Sequence, residues 1–136
     1  MTTDLRSACP IAASLDILGD RWTLVVLRDM LLGGRSRFSE FAVDESIATN
    51  VLSDRLHRLV ECGLVEKSSD PADGRRVIYR PLAPAIALVP VLAELIAWGV
   101  RHTAVPVNEA VAAYTNPETR AAAVSATMAR LTTQLD

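Results

Sequence analysis

Cysteine is scarce in this chain: Cys9 and Cys62 are the only two. A disulfide framework or a cysteine zinc site is thereby excluded as an organising principle, and two thiols suit a reducing compartment. Lysine is scarcer still, with Lys67 alone against thirteen arginines. Arginine forks suit bidentate phosphate or guanine contacts, although the coding bias of an Ala- and Arg-rich genome gives the same ratio. No uninterrupted apolar run approaches the ~20 residues of a membrane span, and "MTTDLRSACP" lacks the basic-then-apolar order of a signal peptide. A cytoplasmic protein without a membrane partner is expected. Paired carboxylates, a nucleophile-base set and a glycine-rich phosphate loop are missing too, so neither an enzyme nor a cofactor is expected. His102 and Glu109 stand too isolated for a metal site.

A basic excess is also lacking. The net charge is −2, and the stretch 35–80 balances seven Arg and Lys67 against four Asp and four Glu. Any phosphate-binding surface must therefore come from the placement of charge rather than its sum.

What the chain does have is apolar content, 50% against 22% charged, enough for a globular fold at a length suited to one domain with extensions. "CPIAASLDILG" places Ile11, Leu15 and Leu18 at helical spacing. "DRWTLVVLRDMLLGG" follows as a core helix, with Asp20 as N-cap and Gly33 as stop. "SRFSEFA" reads as a short helix capped by Ser36, with Phe38 and Phe41 on one side. After the turn "VDES", Leu52, Leu56, Leu59 and Val60 form one stripe, with Asn50, Asp54, His57, Arg58 and Glu61 opposite, until Gly63 ends the helix. Two β-prone stretches, 64–68 and 76–80, flank "DPADGR", whose Pro and Asp-Gly favour a reversal.

"APAIALVPVLAELIAWGVRH" returns to helical spacing, with Pro84 in a first turn and a kink expected at Pro90. Ile86, Val89, Ala93, Ile96 and Val100 form one seam and Leu88, Leu92 and Leu95 another. Leaving the second seam wet forfeits roughly 1.5 to 3 kcal/mol per side chain, so a partner subunit is expected. The tail after "TNPE" is a helix with Asn116 as N-cap, Pro117 first and Glu118 near the positive dipole end; Val124, Met128, Leu131 and Leu135 make a narrow seam. Whether it docks on its own subunit or a neighbour is open at this point.

The order helix, helix, short helix, turn, amphipathic helix, hairpin, apolar helix is a winged helix-turn-helix arrangement, mainly α with a small β-hairpin (α+β). The outer face of the 47–62 helix then has a use: Asn, Ser, Thr and Arg side chains meet base edges or phosphates in a major groove.

The elements "CP", "LGDRWT", "RF.EF", "VLSDRL..L...GLVEK" and "R.VIY", in that order and spacing, closely resemble the HxlR-type family of bacterial transcription regulators over roughly residues 9–102. The resemblance implies a homodimeric winged-helix DNA-binding protein that pairs through its terminal helices and acts at promoters. Residues 1–105 are the HxlR-type domain, including the N-terminal and long C-terminal dimerisation helices, and 106–136 a C-terminal helical extension. The implied partner is double-stranded DNA carrying a roughly palindromic operator. Repression is the expected mode, and a small-molecule or oxidant effector is left open as the signal.

By the same resemblance Arg37 opens the short helix near the DNA backbone, Thr49, Asn50 and Ser53 begin the recognition helix, and Arg55 precedes Leu56. Arg75 and Arg76 flank the wing tip; Arg58 is a further expected DNA contact by its place on the helix's outer face rather than by the resemblance. Asn50 stands where the family often has Lys or Arg, and Pro81-Leu82 replaces its usual Leu-Thr. Cys9 occupies the position of a cysteine that in some members senses oxidants or electrophiles.

Plainer readings stand beside these. Asp54 and Arg58, four apart, pair on a solvated face; Arg55 ties helices together through an acidic partner; His57 is an ordinary surface histidine. Cys9 is a small packing residue, since a sensor needs an accessible thiolate, with Arg6 near enough to help. Two rival functions are a MarR-type regulator, suggested by "DPADGRR", and a winged-helix protein-interaction module, suggested by balanced charge and Asp54.

Overall fold

The computed structural model describes residues 7–135. They form two compact units divided after Leu82.

In the first unit α1 (Pro10–Leu18) and α2 (Thr23–Leu31) precede a single 3₁₀ turn (Phe38–Glu40), and α3 (Thr49–Glu61) then leads into an antiparallel hairpin of β1 (Val65–Asp70) and β2 (Asp73–Pro81). Helix α2 is the core helix its composition predicts. Val26, Leu27, Met30 and Leu31 are fully buried, and Phe41, the α3 stripe Leu52, Leu56 and Leu59, and Leu64, Val65, Ile78 and Tyr79 are buried as well. Phe41 and Tyr79 pack edge to face with ring centroids 6.2 Å apart, a preferred aromatic geometry. Asp20 caps the entry to α2, accepting from the Trp22 and Thr23 N–H groups at 2.8 and 3.0 Å.

Two local readings are corrected. The short helix shrinks to one 3₁₀ turn, and its cap is Glu40 reaching back to the Ser36 and Arg37 N–H groups (3.1 and 2.9 Å) rather than Ser36. The hairpin is longer than 64–68 and 76–80, and it reverses within "DPADGR" at Pro71-Ala72, the first of the two places that stretch offers. Asp70 sets the choice, its side chain accepting from Ala72 N–H at 2.9 Å. Pairing then slips: Ser69 faces Val77 while Asp70 faces Asp73, so Gly74, Arg75 and Arg76 bulge from the ladder.

In the second unit, the apolar stretch is divided at Ala87-Leu88 into α4 (Ala83–Ile86) and α5 (Val89–His102), with Pro90 in the first turn of α5. Proline lacks the N–H that a continuous helix would need there, so the kink expected at Pro90 is a break. By length and composition alone, Ala83–His102 is long and apolar enough to cross a membrane. Helices α6 (Ala112–Thr115) and α7 (Pro117–Thr133) fold back on it. Asn116 caps α7 as its sequence predicts, accepting from Glu118 N–H at 2.9 Å. Tyr114 and Thr127 share a buried 2.6 Å hydrogen bond. Arg120 donates to the Tyr114 carbonyl at 2.7 Å and pairs with Glu94 of α5 at 3.2 Å. The tail therefore docks on its own subunit.

The seams of α5 differ in one respect from the sequence reading. Leu92 is buried together with Val89 and Ala93, and the side left open is Val91, Leu95 and Trp98, spaced four and three apart. Helix α1 likewise buries no residue, with Ile11 and Leu15 exposed.

Candidate nucleic-acid interface

Helix α3 carries the candidate site. Its stripe of Leu52, Leu56 and Leu59 is sunk in the core, which fixes the rotation of the helix and turns the opposite side to water. Thr49, Asn50, Ser53, Asp54, His57 and Arg58 are all exposed there. Thr49 and Asn50 occupy the first turn, the end of a recognition helix that meets base edges. His57 pairs with Glu61 at 3.1 Å one turn on. Arg58 makes no side-chain hydrogen bond or ion pair among the described residues, so the expected Asp54–Arg58 pair is absent; Asp54 binds its neighbour Arg55 instead.

Arg55 is the helix tie that its position suggests. Its Nε donates to Asp20 Oδ1 at 2.9 Å, and the remaining guanidinium edge is held by Asp54. Arg37, expected at the DNA backbone, donates to Asp70 Oδ2 at 2.8 Å and so couples the 3₁₀ turn to the wing. That link is reinforced by Tyr79 N–H donating to the Ser36 carbonyl at 2.8 Å. These partners lie more than thirty residues away in sequence, and no local pattern announces them.

The wing keeps its cations free. Arg75 is 94% exposed and Arg76 58%, each only 3.6 Å from the same Asp73 carboxylate, a surface pairing of little energetic weight. Lys67 and Arg80, which the sequence reading passed over, are exposed as well and have no ion-pair partner among the described residues. Alternation does not flag Arg80, since Ile78 two residues before it is buried and so is its neighbour Tyr79. Glu45 and Asp70 are taken up by Arg28 and Arg37, Arg58, Arg75, Arg76 and Arg80 face solvent along α3 and the wing, and Asp44, Asp54, Glu61 and Glu66 face solvent too.

The internal carboxylates give the frame an acid limit. Burial pushes the Asp20 carboxyl up, but hydrogen bonds from Thr23, Trp22 N–H and Arg55 outweigh it and bring the group from 3.8 down to about 2. Glu45 is lowered by its hydrogen bonds from Arg28, and Asp70 by the Ala72 N–H and then Arg37. A group lowered on folding stabilises the fold fully above its unfolded value and loses that contribution as pH falls toward its folded one. Melting temperature should therefore stay level from neutral pH to about 5 and fall through the carboxylate range below it; thermal melts across that range check this, and a level profile down to pH ~3 would contradict it.

Cys9 is exposed, which corrects the packing assignment. It stands at the N-cap of α1 with its own N–H on Ser7 Oγ at 3.1 Å. Arg6 lies outside the described residues. Cys62 is half-buried at the end of α3. Among the described residues no group of three His, Cys, Asp or Glu could hold a metal ion.

A recognition helix preceded by a tight turn and followed by a two-stranded wing defines a winged helix-turn-helix protein. The HxlR-like helix-turn-helix family model matches residues 17–106, and the chain belongs to that family. An uncharacterised helix-turn-helix transcriptional regulator of Mycobacterium tuberculosis is 35% identical over 89 residues, 65% of this chain. The match takes in 56% of that relative, so the chain spans little more than half its length. YvaP of Bacillus subtilis, also an uncharacterised helix-turn-helix regulator, is 35% identical over 92 residues, 66% of this chain and 84% of its own. Among solved structures, PA1607, described as a candidate transcription factor, superposes with a TM-score of 0.68 at 33% identity over 76% of this chain and 72% of that one. The reduced form of the transcriptional regulator YodB from Bacillus subtilis gives 0.57 at 28% identity over 71% and 95%. The family match sets the MarR-type alternative aside.

Proposed function

We propose that the protein is a sequence-specific DNA-binding transcriptional regulator that works as a homodimer and represses the promoters it occupies. The observation that supports this most is the exposed outer face of α3, beside a wing whose arginines are not neutralised. A 13-residue α-helix fits a major groove, and the exposed guanidinium groups at the wing, held only by a shared surface contact with Asp73, are placed for the phosphates alongside. Of the candidate contacts, Thr49, Asn50, Ser53, Arg58, Arg75 and Arg76 are exposed for this use. Arg37 and Arg55 act through the frame, since their guanidinium groups are held by Asp70 and Asp20.

Homodimerisation is supported by the open stripe Val91, Leu95 and Trp98 and by the exposed Ile11 and Leu15. The stripe runs along a groove of about 890 Å³ that Thr115, Pro117 and Arg120 help to line. Residues 1–105 are then the regulatory module and 106–136 an extension that buttresses α5. We assign the apolarity of α5 to subunit pairing rather than to a membrane, because Glu94 is engaged with Arg120 and Pro90 breaks the stretch. Cytoplasmic location follows from that assignment, and the exposed Cys9 thiol is the candidate point of oxidant control.

Mobility shifts with a duplex selected from a randomised library test the proposal. Affinity should fall at least about 100-fold between ~50 and ~200 mM salt as counterions return to the phosphates; salt-insensitive or absent binding contradicts it. Asn50→Ala should keep most of the affinity for unrelated duplex yet lose about tenfold discrimination at one base-pair position. Reselection with the variant reads this directly, and an unchanged preferred sequence would remove Asn50 from the base-reading set.

A further inference from the structure

The eight residues between the 3₁₀ turn and α3, 41–48, contain two non-glycine residues in the left-handed region, Ala42 at φ 51° and Ser46 at φ 56°. Neither residue type favours that conformation, so the surroundings must hold it. Two adjacent α2 residues do so. Asp29, almost fully buried, accepts from the Ala42 N–H through Oδ2 at 2.7 Å. Its Oδ1 accepts from Arg28 Nε and Nη2 at 3.0 and 2.9 Å. Arg28 then grips Glu45 with both Nη groups, at 2.9 and 3.0 Å. The first left-handed residue is thus bonded to the clamp directly, and the second follows immediately after a clamped residue.

From this we infer that Arg28, Asp29 and Glu45 are positioning residues that set where the recognition helix begins. Thr49 starts α3 four residues after Glu45, and Thr49 and Asn50 are its base-facing first turn. A turn released from the clamp would relax out of its two left-handed conformations and move that first turn, while the leucine stripe would keep the rest of α3 docked. The expected result is damage to sequence reading with little damage to backbone attraction, beside the loss of stability that breaking the Glu45 pair itself brings. The inference rests on the DNA-binding reading.

The test uses the full chain with Glu45→Ala, Glu45→Gln and Arg28→Met. Hydrogen exchange of the Ala42–Ile47 amides is measured in the free protein, together with affinity for the library-selected duplex and for a scrambled one. Glu45→Ala and Arg28→Met should raise exchange in that segment and lower selected-duplex affinity about tenfold, the loss of one charge-assisted contact. Scrambled-duplex affinity should hold, and Glu45→Gln, which keeps one acceptor, should fall between. A merely structural role would instead lower both affinities in step, which overturns the inference, as does unchanged exchange in Glu45→Ala. If the wild-type chain binds neither duplex, the DNA reading falls and the inference with it; if it binds and Glu45→Ala matches it, only the inference falls.

Discussion

Leu95→Asp is expected to turn a dimer into a monomer and to cost about 10²- to 10⁴-fold in affinity for a two-half-site duplex, the factor that linkage of two binding modules normally supplies. Leu95 is the middle of the open stripe on α5, flanked by Val91 and Trp98, and each of the three is more than 40% exposed. The opposite side of α5 is engaged through Val89, Leu92 and Ala93, so a charge at position 95 faces outward and leaves the core of its unit untouched. Across an apolar interface, however, an unpaired carboxylate must be stripped of water, which costs far more than the lost leucine contact. Light scattering at working concentration reads the mass, and a mobility shift reads the affinity. A variant that remains dimeric would move the interface elsewhere.

Arg75→Ala together with Arg76→Ala should weaken binding by about 10- to 100-fold near physiological salt and make the logarithmic salt dependence shallower by about two phosphate contacts. Both residues sit in the bulge opposite the Pro71-Ala72 reversal, where no ladder partner restrains them. Their one carboxylate neighbour, Asp73, is shared at 3.6 Å and offers little competition to a phosphate. Because phosphates carry no sequence information, the loss should be nearly the same for selected and scrambled duplexes. A loss confined to the selected duplex would mean that the wing reads bases.

Much of this arrangement is legible in the sequence because it follows from periodicity. The leucines of α3 recur at helical spacing and so define an inner and an outer face before any fold is known. The caps at Asp20 and Asn116 are equally local, each a side chain accepting from an N–H two residues on. Where two local signals compete, spacing does not choose between them. Pro71 and Asp73-Gly74 both favour a reversal, and the Asp70 side chain on Ala72 N–H places it at the first. Contacts between distant residues are not written in any spacing: Arg28 with Glu45, Arg37 with Asp70 and Arg55 with Asp20 are 17, 33 and 35 residues apart. Those pairs decide which arginines are free for DNA. The outward stripe on α5 shows the same limit. Leu88, Leu92 and Leu95 share a helical spacing, but α6 and α7 packing on that unit decides which apolar side chains remain open.

Hydroxyl-radical footprinting of the library-selected duplex tests the central claim most directly, since it reports how many recognition helices meet the DNA and how far apart. Two protected stretches related by a dyad and centred about 34 Å apart are predicted, one for each α3 of a homodimer. A single protected stretch from one chain, or protection that does not follow the selected sequence, would contradict the account.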